Sequence, residues 1–218
     1  MLRDNIDFFK SVVEKPNPFG EKIVLCGASK MQSAETINEA IRSGLTDVGE
    51  NKAQEFRDKY PLLLPVNYHF FGKLQKNKVK YLIGKVSLIQ SVDSPELAEE
   101  ISVQSVRNNT ETKILLEVND GEEQKGGLPF DEVENAYLKI RNLSGVTVCG
   151  LMCVLPDADS SIIRKICLEI RGLFDKIKKN DEKFTVLSMG MTKDYKIAIE
   201  CGSNMIRIGT GIFGKRNY

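Results

Sequence analysis

The chain has 218 residues, a length that fits one large domain or two small ones. Hydrophobic residues make up 41% of it and charged residues 28%, a mixture that excludes a disordered chain and a coiled-coil rod. The 31 Lys and Arg residues nearly balance the 30 Asp and Glu residues, so the formal charge is +1. Such a balance offers no electrostatic footprint for DNA, RNA or an anionic membrane.

Signals for a membrane segment, a disulfide framework or a metal site are weak. The longest apolar stretch, residues 146–155, is about half a membrane span. The charged residues Arg3 and Asp4 stand near the N-terminus, and no apolar signal region follows them, so we expect a cytoplasmic protein. Five cysteines form an odd, scattered set, which argues against a disulfide framework. With one histidine, His69, and no C-x-x-C motif, we predict no metal site.

The chain begins with an amphipathic helical pattern, in which Leu2, Ile6, Phe9 and Val13 share one face. Short apolar runs follow at regular intervals, as is typical of buried strands. These eight predicted strands lie at residues 22–28, 45–49, 66–71, 86–92, 112–118, 146–154, 184–188 and 204–209.

Helical patterns lie between the predicted strands. Ser33 can cap a helix that ends at Gly44, and Ser94 can cap another. Apolar residues at helical spacing predict three more helices, over 133–140, 163–177 and 193–201. Gly202 is placed to end the last of them.

Alternation of strands and helices predicts parallel pairing, because right-handed crossovers join parallel neighbours. Eight such units favour a single (β/α)8 TIM barrel with an extra N-terminal helix, over residues 1–218 as one domain. An open doubly wound sheet is the alternative that the same pattern leaves open.

In a barrel of this kind, functional residues lie at the carboxyl ends of the strands, and the loops after strands 7 and 8 often bind phosphate. Hydroxyl groups in these two loops belong to Ser188, Thr192 and Thr210. Glycines, which let backbone N–H groups approach an anion, stand at Gly190, Gly209 and Gly211. The sequence therefore predicts a phosphate site here.

Closure of the barrel would place strand 1 beside strand 8, which brings Lys30 near this phosphate site. On strand 8, Met205, Arg207 and Gly209 share one face, and we expect Arg207 to point into the barrel. A phosphate site, a lysine that can form an imine and a neighbouring arginine are together what pyridoxal 5′-phosphate (PLP) requires.

Each of these residues also has an ordinary structural interpretation. Lys30 taken alone fits a surface lysine, and Arg207 fits a buried ion pair with a carboxylate such as Glu50. His69 fits a hydrogen-bonded core histidine, and Asn51 fits a helix cap. These residues also leave open a different function, that of a barrel enzyme that acts on another phosphorylated metabolite.

The order and spacing of several short motifs resemble the YggS/PROSC family of PLP-binding homeostasis proteins, from about Ile23 to Gly214. The motifs are Ser29-Lys30, Gly49-Glu50-Asn51, His69-Phe70, Ser91-Val92-Asp93, Gly150-Leu151-Met152, residues 187–191 and residues 207–210. The resemblance implies a monomeric, single-domain barrel similar to the N-terminal domain of alanine racemase.

The resemblance also implies a role for each cofactor-binding residue. Lys30 would be the Schiff-base lysine, Asn51 would lie beside the PLP ring, and Arg207 would face its pyridine nitrogen. The residues around the phosphate would be Ser188, Met189, Gly190, Gly209 and Thr210. Departures from the family pattern, at Met31-Gln32, Tyr68, Gln90 and Cys149, fall on loops and strands around the pocket.

By this resemblance the chain would carry PLP on Lys30 and take part in intracellular PLP (vitamin B6) homeostasis, without established catalytic turnover. The alternative is a PLP-dependent racemase-type enzyme acting on amino acids. Two points weigh against this alternative. A cationic Arg207 disfavours protonation of the pyridine nitrogen, and an unprotonated ring is a weaker electron sink. The related racemases also use a catalytic Tyr from a second domain, which we expect this chain to lack. The expected partners are PLP, amino acids as small ligands and, transiently, PLP-dependent apoenzymes.

Overall fold

The computed structural model describes residues 1–120 and 126–214. Within these residues, eight parallel strands pair in chain order and close into a barrel, β1 against β8. The strands are β1 Val24–Ala28, β2 Asp47–Glu50, β3 Asn67–Phe70, β4 Leu88–Val92, β5 Thr112–Val118, β6 Val146–Cys153, β7 Val186–Ser188 and β8 Met205–Ile208. All eight predicted strands are confirmed, and the closed barrel excludes the open sheet.

Helices cover the outside of the barrel. They are α1 Leu2–Val13, α2 Ala34–Arg42, α3 Ala53–Lys59, α4 Pro95–Arg107, α5 Val133–Ile140, α6 Ser160–Lys178, α7 Tyr195–Glu200 and α8 Thr210–Phe213. The extra N-terminal helix α1 is therefore confirmed, and the amide of Asn5 in α1 donates to the carbonyl of Ile212 in α8 at 3.0 Å. None of the described helices combines the length and the apolar character that a membrane span requires.

Local sequence signals set several helix ends. The hydroxyl groups of Ser33 and Ser94 accept hydrogen bonds from the first turns of α2 and α4, as predicted. Gly202 follows α7 with φ +96°, a conformation that glycine adopts without a steric penalty. Asn51 does not cap α3, because the N-cap position belongs to Lys52.

Within residues 1–120 and 126–214, two apolar clusters hold the fold together. The larger lies between the sheet and the surrounding helices, as expected for a barrel of this type. The smaller lies inside the barrel and consists of Leu88, Leu115, Cys149, Met152 and Met205. Nearer the carboxyl ends of the strands, the side chains that point into the barrel are polar. They lie beneath the candidate site.

Candidate functional site

A cavity of about 570 Å³ opens at the carboxyl ends of the strands, a volume within the usual range of small-molecule sites. Five of the eight residues predicted to bind a cofactor line it: Lys30, Asn51, Arg207, Gly209 and Thr210. Its wall also includes Phe71, Gly72, Asp157, Thr192 and Lys193. Residues that are up to 180 positions apart in the chain thus meet here because β1 pairs with β8.

Lys30 lies in a tight turn directly after β1. The Ser29 N–H and hydroxyl both donate to the Gly49 carbonyl, at 2.9 and 3.1 Å, so the turn is bound to the end of β2. The next residue, Met31, has φ +65°, which is uncommon for a side chain other than glycine, and its N–H donates to Glu55 Oε1 at 2.9 Å. Contacts to β2 and α3 therefore fix the backbone on both sides of Lys30.

The turn between β8 and α8 forms the part of the cavity wall next to Lys30, because β8 pairs with β1. The φ of Gly209 is −101°, so this position does not require the left-handed conformation that favours glycine. A Cβ built on it would meet only ordinary contacts with Ala28, at 3.5 Å or more. Neither strain nor crowding therefore explains a glycine at this position, and its missing side chain leaves room inside the cavity.

The other two predicted glycines, Gly211 and Gly190, lie in closely packed surroundings. A Cβ on Gly211 would lie 2.8 Å from the ring of Phe9 in α1, so this glycine makes room for the N-terminal helix. Gly190 has φ +97°, and its Cβ would lie 2.8 Å from that of Ala198. Turn geometry and close helix packing thus account for these two glycines, and the expectation that they also let an anion approach stays a prediction.

Ser188, Met189 and Gly190 are not brought to the cavity wall. Ser188 is fully buried, and its hydroxyl contacts Gln90 and Arg207. The Met189 N–H donates to the Met205 carbonyl and the Ser203 hydroxyl, and the Gly190 carbonyl accepts from the Arg207 N–H at 2.9 Å. These groups therefore support Arg207 and the turn after β7, and a direct phosphate contact from them stays a prediction.

Arg207 points into the barrel, as the alternation along β8 predicts. Its Nη1 donates to the carbonyl and hydroxyl oxygens of Ser188 at 2.9 and 2.6 Å, and its Nη2 donates to the Cys153 carbonyl at 2.8 Å. The alternative of an ion pair with Glu50 is wrong. The Glu50 side chain points from β2 toward the surrounding helices, where its carboxylate pairs with Lys59 at 3.2 Å. Burial lowers the pKa of Arg207.

Asn51 follows β2 and carries an unpaired polar atom. Its Oδ1 is buried and has no hydrogen-bond partner among the residues that the structure describes. The chain after β3 passes so close that a Cβ on Gly72 would lie 1.9 Å from the Asn51 carbonyl oxygen. Buried acceptors without a donor are costly, so an atom of this kind in a cavity wall indicates that a ligand supplies the donor.

Sequence reasoning left out a line of polar side chains beneath the cavity. His69 is a hydrogen-bonded core histidine, as predicted, and it joins Asp47 at 2.9 Å and Gln90 at 3.0 Å. These three residues come from β2, β3 and β4 and lie on the inward face of each strand. Alternation within apolar strands was the signal that could have revealed them.

Comparison with known proteins agrees with this geometry. The family model described as "Alanine racemase, N-terminal domain" matches residues 2–217. A pyridoxal phosphate homeostasis protein of Aquifex aeolicus is 42% identical over 199 residues, which cover 89% of this chain and 87% of the relative. A relative with the same description in Helicobacter pylori is 33% identical and covers 97% of both chains.

Solved structures share the fold. The structure of PipY of Synechococcus elongatus with PLP bound has a TM-score of 0.87 at 27% identity, over 98% of this chain and 100% of that one. Alanine racemase of Clostridium difficile has a TM-score of 0.84 at 14% identity, over all of this chain and 60% of that one. On these matches, this chain belongs to the family of pyridoxal phosphate homeostasis proteins, which has the barrel of the alanine racemase N-terminal domain.

Proposed function

We propose that this chain binds PLP in the cavity at the carboxyl ends of its strands and takes part in the control of intracellular PLP. The observation that carries the proposal is the meeting of Lys30, Asn51, Arg207, Gly209 and Thr210 in one cavity. The names of the relatives and the PLP-bound PipY structure support the same ligand.

The residues present fit PLP in charge, shape and hydrogen bonding. The unpaired Oδ1 of Asn51 calls for a donor, and the missing side chain of Gly209 leaves space that the protein does not use. Gly209 and Thr210 begin α8, where backbone N–H groups and a hydroxyl can hold a phosphate. Arg207 supplies a cation from the floor of the cavity.

PLP brings an aldehyde, which condenses with a primary amine, and Lys30 is the amine that we assign to it. Arg207 donates hydrogen bonds only, so a pyridine nitrogen that faces it accepts rather than carries a proton. The racemase alternative is not favoured, since the relatives similar over most of their length are homeostasis proteins, while alanine racemases share the fold at low identity.

The finer parts of the proposal concern exchange and partners. We infer a cytoplasmic monomer that releases PLP when another amine, such as that of an amino acid, replaces Lys30. Transfer to PLP-dependent apoenzymes would then need only transient contacts. Analytical ultracentrifugation of the PLP-loaded protein tests the monomer directly, and a concentration-dependent dimer would contradict it.

Mass spectrometry after borohydride reduction tests the covalent site, because reduction fixes the pyridoxyl group on the amine that holds it. Among the described residues, two lysines line the cavity, Lys30 and Lys193. Lys193 is the matched control, since its exposed amine pairs with Asp157 at 3.0 Å and attachment there would break that ion pair. We expect the added mass on Lys30 alone.

Substitution separates covalent attachment from the rest of the binding. Lys30→Ala should abolish the reducible adduct and weaken PLP binding about 10- to 100-fold, a loss of about 1.4 to 2.8 kcal/mol, while the other cavity contacts still hold PLP. Lys193→Ala should leave both properties within about twofold of wild type. Attachment to Lys193, or an unchanged adduct in Lys30→Ala, would contradict the proposal.

A further inference from the structure

A line of polar side chains crosses the inside of the barrel from the cofactor cavity toward the opposite end. We name it the interior chain; its members are Arg207, Ser188, Gln90, His69 and Asp47. All five are buried, with at most 8% of each residue exposed. The last member, Asp47, lines a second cavity beside α1 at the amino ends of the strands.

The chemistry of Arg207 sets the direction of the first hydrogen bonds. A guanidinium only donates, so the Ser188 hydroxyl oxygen accepts from Nη1 at 2.6 Å. The Ser188 hydroxyl then points its own proton at Gln90 Oε1, 2.7 Å away. This contact fixes the orientation of the Gln90 amide, which a carbonyl–amide flip would otherwise leave open.

The remaining bonds follow in the same direction. Gln90 Nε2 can only donate, so His69 Nδ1, 3.0 Å away, accepts and carries no proton. The proton of neutral His69 therefore lies on Nε2, which donates to Asp47 Oδ1 at 2.9 Å. Thr46 donates to the other oxygen of the same carboxylate at 2.7 Å.

The last carboxylate is held as an anion. Burial raises the pKa of Asp47, but hydrogen bonds from His69 and Thr46 outweigh it, and the pKa lies below its ordinary value. The interior chain therefore starts at a cation, ends at an anion and passes through neutral groups whose dipoles all point the same way. Aligned hydrogen bonds of this kind polarise and strengthen one another.

We propose that Gln90, His69 and Asp47 are positioning residues that hold Arg207, through Ser188, in the orientation that faces the cofactor, a role that rests on the proposed function. None of the three lines the cofactor cavity, so their effect on PLP passes through Ser188 and Arg207. An apolar layer here, like the neighbouring Leu88 and Leu115, would leave the Ser188 proton without its acceptor.

Because the chain has a single histidine, the direction of the hydrogen bonds along the interior chain can be measured. In protein labelled with ¹⁵N-histidine, one imidazole contributes signals, and we expect the Nε2–H tautomer in the wild-type protein without PLP. Gln90→Glu keeps the acceptor for Ser188 but offers no N–H to His69, so His69 should then carry a proton on Nδ1 as well. Leu88→Met, in the same interior layer, is the control and should leave the tautomer unchanged.

A second measurement follows the cofactor. Gln90→Met keeps the length of the side chain and removes its hydrogen bonds, so the Ser188 hydroxyl loses its acceptor and no longer holds Arg207 in a fixed orientation. We expect PLP to leave this variant at least tenfold faster than wild type, with a shifted absorbance of the bound cofactor, while Leu88→Met stays within twofold.

The outcomes separate the two proposals. Wild-type protein that binds no PLP would overturn the proposed function and the positioning role with it. Wild-type protein that binds PLP, with Gln90→Met releasing it at the wild-type rate, would overturn the positioning role alone. An Nδ1–H tautomer of His69 in the wild-type protein would overturn the direction assigned to the interior chain, even if either Gln90 variant failed to fold.

Discussion

Arg207 is a buried cation whose hydrogen-bond partners, within the described part of the chain, are neutral oxygens. Its guanidinium contacts the carbonyl groups of Ser188 and Cys153 and the Ser188 hydroxyl, each at 2.9 Å or less. Burial of a charge is expensive unless hydrogen bonds compensate for it, so the three bonds make the position tolerable. They also leave the rest of the guanidinium to face the cavity.

Replacement of Arg207 should therefore affect both stability and the cofactor. Arg207→Gln retains a donor but leaves part of the Ser188 and Cys153 oxygens unpaired, and we expect the free energy of unfolding to fall by about 1.5–3 kcal/mol. The absorbance of bound PLP should shift as the pyridine loses its cationic neighbour. Urea unfolding and absorption spectra check the two effects.

The control for this substitution lies on the surface. Arg164 pairs with Glu200, and both side chains are about half exposed. Exposed pairs of this kind contribute little, so Arg164→Gln should change the free energy of unfolding by less than about 1 kcal/mol and leave the spectrum of PLP unchanged. Equal effects of the two substitutions would mean that Arg207 is an ordinary structural residue.

Among the elements, β6 has a bulge that serves the site. The register between β5 and β6 shifts after Ile114, and Cys149 and Met152 both face the barrel interior although three positions separate them. A simple alternation would turn one of them outward. The extra residue turns Met152 inward and sets where the Cys153 carbonyl meets Arg207.

Gly150 makes this bulge possible. Its φ is +154°, and a Cβ there would lie 1.7 Å from the Val186 carbonyl oxygen of β7. We expect Gly150→Ala to lower the free energy of unfolding by at least about 3 kcal/mol, since backbone must move. Denaturant unfolding, or loss of soluble protein, shows the effect.

Gly172 in α6 provides the control for the Gly150 substitution. No atom lies within 4 Å of a Cβ built there, and its φ is not positive. Gly172→Ala should raise the free energy of unfolding by about 0.5–1 kcal/mol, because alanine favours the helix. A destabilised Gly172→Ala together with a tolerated Gly150→Ala would contradict this account of β6.

For the whole molecule, charge at the cavity end of the barrel depends on pH. Glu117, in β5, lies near Asp93, and both carboxylates are about 4 Å from the Cβ position of Gly126. Burial and the charge of Asp93 raise the pKa of Glu117 from 4.5 to about 7, against the opposing effect of Arg207. The folded state thus binds this proton more tightly than the unfolded state.

The sign of the pH dependence follows from that difference. Between about pH 4.5 and pH 7 the folded protein holds a proton that the unfolded chain has lost, so this group lowers stability as the pH rises. We expect Glu117→Gln to remove about 1–3 kcal/mol of the stability that the wild-type protein loses between pH 5 and pH 8. The exposed Glu99 of α4 is the control, and Glu99→Gln should leave the pH profile parallel to wild type.

Much of the architecture could be predicted because it depends on neighbours in sequence. The spacing of apolar residues along the chain distinguishes strands from helices. Eight parallel strands joined by helices can adopt only a few topologies, of which the closed barrel is one. Closure places β1 beside β8, and alternation turns Arg207 inward, so the meeting of Lys30 with Gly209 also followed. The family resemblance added the cofactor, which residue patterns alone left beside other phosphorylated ligands.

Hydrogen-bond partners across the barrel were beyond that reasoning. Local pattern gives no sign that the Ser188 hydroxyl bonds to Gln90, 98 positions away, and supports Arg207. The bulge at Gly150 and the packing role of Gly211 likewise depend on which strand or helix lies opposite. Local pattern tells whether a side chain points inward, whereas its partner is chosen by three-dimensional proximity, because hydrogen bonds and van der Waals contacts act over a few ångströms whatever the separation along the chain.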